Sequence, residues 1–208
     1  MNIGLIIATL GSAIAALGTL PYIMETIKGT TKPRVVSWLT WSLLMFLATA
    51  GCLAAHQYAS AIFSLFGAIA TGFIVIAGFK YGDRHFAALD IACMGGVLLG
   101  LILWRVFNSP SLAVWAAIII DFVGLIPTLK HSWMLPEEET VATYILVFVG
   151  GVLTVAASST ISGWSVTSVG YPLYSALSLG LVACIVYFRK RITTSLVKET
   201  LQENENEI

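Results

Sequence analysis

Gly18-Thr19-Leu20-Pro21-Tyr22-Ile23 and Gly124-Leu125-Ile126-Pro127-Thr128-Leu129 are two Pro-centred segments that stand 106 residues apart. Each is expected to end an apolar helix, and each is followed by a polar turn and two further apolar stretches. At the same offset Trp38 falls on Tyr144, Tyr58 on Trp164 and Tyr81 on Tyr187, with no net gap. A duplicated three-helix unit in so apolar a sequence is the signature of a membrane architecture built from two repeats.

Composition fixes the environment. Hydrophobic residues make up 58% of the chain and charged residues 11%, with a mean hydropathy of +0.89. A soluble domain carries about a quarter of its residues as Asp, Glu, Lys or Arg. With less than half that share the surface cannot be clothed in polar groups, so the chain is read as an integral membrane protein whose first partner is the lipid bilayer. Net charge is zero, which leaves no basis for nucleic-acid or polyanion binding. Cys52, Cys93 and Cys184 sit in three different apolar runs without metal-ligand spacing and read as small reduced core residues. No cofactor is implied. Residues 1–20 are apolar with no basic residue ahead of them, and are expected to form a first span and not a cleaved signal peptide.

A spanning helix needs roughly 20 mostly apolar residues. Seven such segments are predicted, at 3–24, 35–55, 59–79, 86–107, 112–129, 141–161 and 169–188. Connections are short, and the tail ends in the acidic, disorder-prone Gln202-Glu203-Asn204-Glu205-Asn206-Glu207. With seven spans, only Arg105 of the 11 Lys and Arg residues falls on the side of the N-terminus. The positive-inside rule therefore predicts an external N-terminus and a cytoplasmic C-terminus. Short loops and this charge pattern suit a bacterial inner membrane.

The odd count explains the duplication. Three helices joined directly to three more would invert the second copy; a fourth helix between them restores its direction. The expected fold is all-α: a first three-helix repeat (1–82), a linker helix (83–109), a second three-helix repeat (110–191) and a disordered cytoplasmic tail (192–208). The repeats are parallel, related by an axis along the membrane normal.

On these features the chain resembles the PQ-loop and SWEET superfamily of membrane transporters. The resemblance spans nearly the whole sequence, although Tyr22 and Thr128 stand where the family's Pro-Gln pairs have Gln. It implies alternating access of a small-molecule substrate, with Pro21 and Pro127 as hinges of the first and fifth spans. A Pro within a helix removes one backbone hydrogen bond and clashes with the preceding turn; in a bilayer the freed carbonyl must be satisfied by protein or cavity water. The superfamily also contains non-transporting receptors of the secretory pathway, so a membrane receptor or assembly protein of the same fold is the alternative.

The residues suited to handling a solute lie on four spans. Trp38 and Trp41 lie three apart on one face of the second span, with Ser37 and Ser42 nearby. Trp41 is about six residues in, about 9 Å at the helical rise, and an aromatic plate beside hydroxyls suits a flat polar solute. Tyr144 occupies the matching place in the second repeat, where Val147 replaces Trp41, so an asymmetric site is expected. On the third span Ser64 is polar, and on the seventh Tyr171, Tyr174, Ser175 and Ser178 share one face. Related sugar carriers hold hydroxyls with an Asn on the third and seventh spans. Neither span has one here, which together with the Trp pair leans towards an aromatic or nucleoside-like solute within a class of sugars, amino acids and vitamin- or nucleoside-like metabolites, all small and neutral or zwitterionic.

Asp121 is the one ionisable group near the centre of a span. A central Asp costs about 2.5–3.5 kcal/mol on insertion, while each Leu or Ile returns about 0.3–0.6, so the fifth span still inserts but its acid needs a reason. Coupling to a proton or cation is the first candidate. Asp90, at the start of the fourth span, reads as structural. Glu25, a turn before Lys28 and Gly29, is a candidate gate residue. Glu137-Glu138-Glu139 reads as an N-terminal charge cluster for the sixth span. His56, His85 and His131 lie on different loops, and no metal site is expected. An enzyme is disfavoured because no nucleophile–base pair, metal spacing or paired midplane carboxylates are present. A channel is disfavoured because no ring of charge repeats through the spans. The small-residue run Gly95-Gly96-x-x-x-Gly100 is suited to packing a second copy, so a homo-oligomer is within its reach.

Overall fold

The structure, a computed structural model, describes residues 3–29, 33–84 and 88–206, without the side chains of Glu138 and of residues 193–206. Thr30, Thr31, Lys32, His85 and the expected start of the fourth span at Phe86 lie outside the described residues. Within them the chain is helical throughout, and seven helical segments are long and apolar enough to cross a membrane.

The elements are α1 (Ile3–Leu17), α2 (Leu20–Lys28), α3 (Val35–Ala54), α4 (Tyr58–Tyr81), α5 (Ala88–Phe107), α6 (Pro110–Met134), α7 (Val141–Ser162) and α8 (Tyr171–Asn206). Together α1 and α2 form the first span, Ile3–Lys28. A π-helical turn, Val166–Gly170, feeds α8 and belongs to the seventh span. The Pro segments behave differently from each other: the first ends α1 but not its span, and the second does not end its helix as expected. The first span breaks earlier, at Gly18 and Thr19, and restarts at Leu20 with Pro21 in its first turn, where a missing N–H costs nothing. Pro127 lies inside α6, which runs on to Met134. The extra turn of α2 closes on Gly29, whose φ of +75° lets its N–H reach back to the carbonyls of Glu25 and Thr26. The last helix runs to Asn206, through a run rich in the helix formers Leu, Lys, Glu and Gln.

The six helical columns other than α5 close into a ring. The first span packs on α4, α4 on α3, α3 on α6, α6 on α8, α8 on α7, and α7 back on α1. Helix α5 lies outside the ring against α6 and α3. Small residues allow this closeness: Ala8, Ala48, Ala68, Ala113 and Ala117 are fully buried, as is usual where helices meet without a hydrophobic driving force. Large apolar side chains such as Phe79, Leu98, Ile119 and Phe122 point outwards, where lipid would cover them. Gly96 and Gly100 lie against Ile120 and Ala116 of α6, so most of the small-residue run expected to pack a neighbour is used within the chain; only Gly95 faces open space.

Most of the Lys and Arg residues gather at one end of the bundle, here termed the basic end. There the start of α3 is pinned to the segment after α4 by two main-chain bonds, Val35 N–H to the Asp83 carbonyl and Asp83 N–H to the Pro33 carbonyl, each 2.9 Å. Arg34 donates to Asp90 at 2.6 Å and Ser37 donates to its other oxygen at 2.8 Å, tying α5 to α3. The structural reading of Asp90 agrees with this geometry.

Candidate functional site

Trp38 and Trp41, one turn apart on α3, meet edge to face with ring centroids 5.0 Å apart. The early break of the first span brings Tyr22 onto the same stack, its ring 4.9 Å from that of Trp38. Aromatic rings therefore step inwards from the basic end, Tyr22 to Trp38 to Trp41. At the inner end, the indole nitrogen of Trp41 lies 3.2 Å from the point where a Cβ on Gly124 would stand. Gly124 is one turn from Asp121 on α6, so the stack leads to the level of the acid.

Asp121 occupies the inward face of α6 between Ala117 and Leu125, both buried. It is enclosed by protein yet part-exposed to a water-sized probe. The hydroxyl of Tyr174 lies beside its carboxyl, and Tyr171 is within electrostatic range. The two tyrosine rings are 6.1 Å apart. Tyr171 is 1% exposed, and neither its hydroxyl nor that of Tyr174 makes a hydrogen bond of standard geometry. Among the described residues no Lys, Arg or His is ion-paired with Asp121. Leaving a buried hydroxyl unsatisfied costs about 1–3 kcal/mol. The hydroxyls of Ser132 and Thr143 are likewise buried without a partner.

The serines behave otherwise. Ser42 turns to α4, donating to the Ala68 carbonyl at 2.9 Å, and is not part of this cluster. Ser64 is also drawn away: it donates to the Ser60 carbonyl at 3.0 Å and accepts from Thr49 at 2.9 Å. Both hydroxyls help join α3 to α4, as a hydroxyl in an apolar interior takes the nearest carbonyl. Ser175 and Ser178 remain on the inner face of α8, buried, with the Ser178 hydroxyl 3.3 Å from the Ser175 carbonyl.

Tyr144 is at the basic end, on α7, and donates to the carboxylate of Glu139. The other Glu139 oxygen meets His131 Nδ1 at 2.9 Å, and Lys190 donates to the Glu139 carbonyl at 2.9 Å. Glu139 thus joins α6, α7 and α8, a role not legible in a run of three Glu residues. The run itself forms a short 3-10 turn, Pro136–Glu138, ahead of α7, so its charges precede the helix without capping it. Glu25, one turn after Tyr22, lies within electrostatic range of the Tyr22 hydroxyl.

The opposite end is knit by hydrogen bonds. Ser60 donates to the Ser168 carbonyl and lies 3.2 Å from the Ser158 hydroxyl. Cys52 donates to the Thr167 carbonyl at 3.2 Å. These bonds fasten the π-helical turn to α3, α4 and α7, and a capping box between Ser165 and Ser168 fixes its start. Two apolar grooves, of about 470 and 300 Å³, lie on a flank of α8 and share Trp164, Leu173 and Leu177; the larger is also lined by Trp115 and Ile118 of α6 and by Tyr174. Among the described residues no group of three or more His, Cys, Asp or Glu side chains could hold a metal ion.

Comparison with protein-family models, with curated proteins and with solved structures finds no match.

Proposed function

We propose that this chain is a transporter of the PQ-loop and SWEET kind, moving a small neutral or zwitterionic metabolite by alternating access, with Asp121 as a proton-coupling group. The observation that carries this reading is the buried cluster of Asp121, Tyr171 and Tyr174, in which the Tyr171 hydroxyl lacks a partner and that of Tyr174 lies beside the carboxyl, at the end of an aromatic stack leading from the basic end. A static scaffold has no reason to keep unsatisfied polar groups at its centre.

The reading of two parallel repeats is supported by packing that recurs at the offset found in the sequence. In the first half Gly18 lies against Thr143 and Leu146 of α7; its counterpart Gly124 lies against Trp41 of α3. Likewise Ala8 packs with Ala157, and their counterparts Val114 and Gly51 pack together. Each repeat sets its first helix on its own third helix and on the second helix of the other repeat, as a two-fold axis along the membrane normal requires. On this reading the basic end faces the cytoplasm, α5 is the linker, and the two bundles rock about the central cluster.

The test is a thermal-shift screen of the detergent-purified protein against sugars, amino acids, nucleosides and vitamins, followed by flux of any hit in liposomes. A ligand that binds the native state alone raises the melting temperature by mass action. Flux that Asp121→Asn deprives of its pH dependence supports the coupled carrier. Binding without flux moves the assignment to a receptor of the same fold.

A further inference from the structure

Two quasi-equivalent seams join the halves of the ring: α1 on α7, and α6 on α3. They differ where it matters. In the first seam the backbones touch. A Cβ added to Gly150 would stand 2.3 Å from the Gly11 carbonyl oxygen and 2.7 Å from the Ala15 Cβ, and one added to Gly18 would stand 2.9 Å from Leu146. Ala15 is 8% exposed. The polar side chains here bond to their own helices: Ser12 donates to the Ala8 carbonyl, and Thr154, whose hydroxyl lies 3.2 Å from the Cβ position of Gly11, donates to the Gly150 carbonyl.

In the second seam the counterpart of Ala15 is Asp121, the counterpart of Gly150 is Leu44, and the counterpart of Val147 is Trp41. At the end away from the basic residues this seam is as tight as the first, with a Cβ on Gly51 standing 2.9 Å from the Pro110 carbonyl oxygen. From its middle to the basic end the larger side chains Trp41, Leu44 and Asp121 stand where the first seam has Val147, Gly150 and Ala15, and Asp121 is part-exposed where Ala15 is buried. The unpartnered hydroxyl of Tyr171 and that of Tyr174, beside the Asp121 carboxyl, adjoin this seam, while on α7 the buried hydroxyl of Thr143 is also without a partner.

We propose that the solute site is confined to the α3–α6 seam, reached from the basic end, while the α1–α7 seam stays shut and serves as the fixed join about which the bundles move. The solute that fits is a polar molecule with a hydrogen-bond donor for Asp121, an acceptor for the tyrosine hydroxyls and a flat face for Trp41. This rests on the transport reading for its function, but the one-sided opening is measurable without knowing the solute.

The experiment replaces the three native cysteines by Ser and places single cysteines at counterpart positions: Asp121→Cys against Ala15→Cys, and Trp41→Cys against Val147→Cys. Each protein, in liposomes, is treated with the small hydrophilic reagent methanethiosulfonate ethylammonium. The α3–α6 cysteine of each pair should react at least about tenfold faster than its α1–α7 counterpart, since reaction tracks access to water and thiolate character. Equal rates within both pairs, or faster reaction in the α1–α7 seam, would overturn the proposal. A variant that fails to fold is replaced by the other pair, which asks the same question. Flux is scored separately: a one-sided pattern with no flux of any screened solute leaves the seam assignment standing and removes the transport reading, whereas flux with a symmetric pattern does the reverse.

Discussion

The indole nitrogen of Trp41 stands 3.2 Å from the Cβ position of Gly124, so the only glycine on α6 is also the place where the aromatic stack of α3 reaches the helix of Asp121. Gly124→Ala adds helix propensity of about 0.8–1 kcal/mol but pushes the indole aside by a few tenths of an ångström. The expected outcome is a melting temperature held or raised, with solute affinity reduced about tenfold, which is about 1.4 kcal/mol. Thermal unfolding and flux on the same preparation check it.

Tyr171→Phe should separate stability from function. Its hydroxyl is buried without a partner, so its removal relieves a cost of about 1–3 kcal/mol. Stability is expected to stay level or rise while binding of the solute weakens. Loss of stability on this substitution would show that the hydroxyl is bonded in the folded protein.

Asp121→Asn should keep the fold, being nearly isosteric and easier to hold in the bilayer interior, and should flatten the dependence of uptake on pH. Wild-type uptake is expected to rise when an inward proton gradient is imposed and the variant's is not. A variant that still responds to the gradient would remove Asp121 from the coupling step.

The tie between Arg34 and Asp90 predicts an asymmetric pair of losses. The Asp90 side chain is 8% exposed and that of Arg34 44%. Asp90→Asn leaves two donors, Arg34 and Ser37, facing a weaker acceptor, and is expected to cost about 1.5–3 kcal/mol. Arg34→Met, which removes the more exposed partner, should cost less because the remaining carboxylate keeps Ser37 and reaches solvent more readily. Denaturation of both variants in micelles measures the difference.

Glycines of the two kinds should respond in opposite directions. Gly95→Ala places a methyl in open space and is expected to stabilise α5 by about 0.5–1 kcal/mol. Gly150→Ala drives a methyl into the Gly11 carbonyl, where no flexible side chain can yield, and folded yield should collapse. Size-exclusion profiles of the two proteins decide this.

The sequence carried the spans well because hydropathy over some 20 residues reports the solvent, and lipid leaves few alternatives to a helix. The inward place of Asp121 was legible for the same reason: a charge so costly must face protein. What did not show was where single hydroxyls point. Ser42 and Ser64 lie on promising faces, yet each satisfies itself on a neighbouring carbonyl, and no spacing rule records that choice. The break before Pro21 was also missed. A Gly-Thr pair ahead of a Pro reads equally as a helix end or as a restart, and here the restart sets the Tyr22 ring against that of Trp38. Glu139 was hidden by its neighbours, since three identical residues give no sign of which one turns inwards.

The ring order has a consequence for the newborn chain. The join between α1 and α7, the one in which backbones lie against each other, links the first span to be synthesised with the sixth. Until the sixth has left the ribosome, the glycine-lined flank of α1 has no mate. The seam that holds the finished molecule most tightly is therefore the last between the halves to have both its helices in the membrane, and a chain cut short before α7 keeps an open rim where the mature one has a clasp.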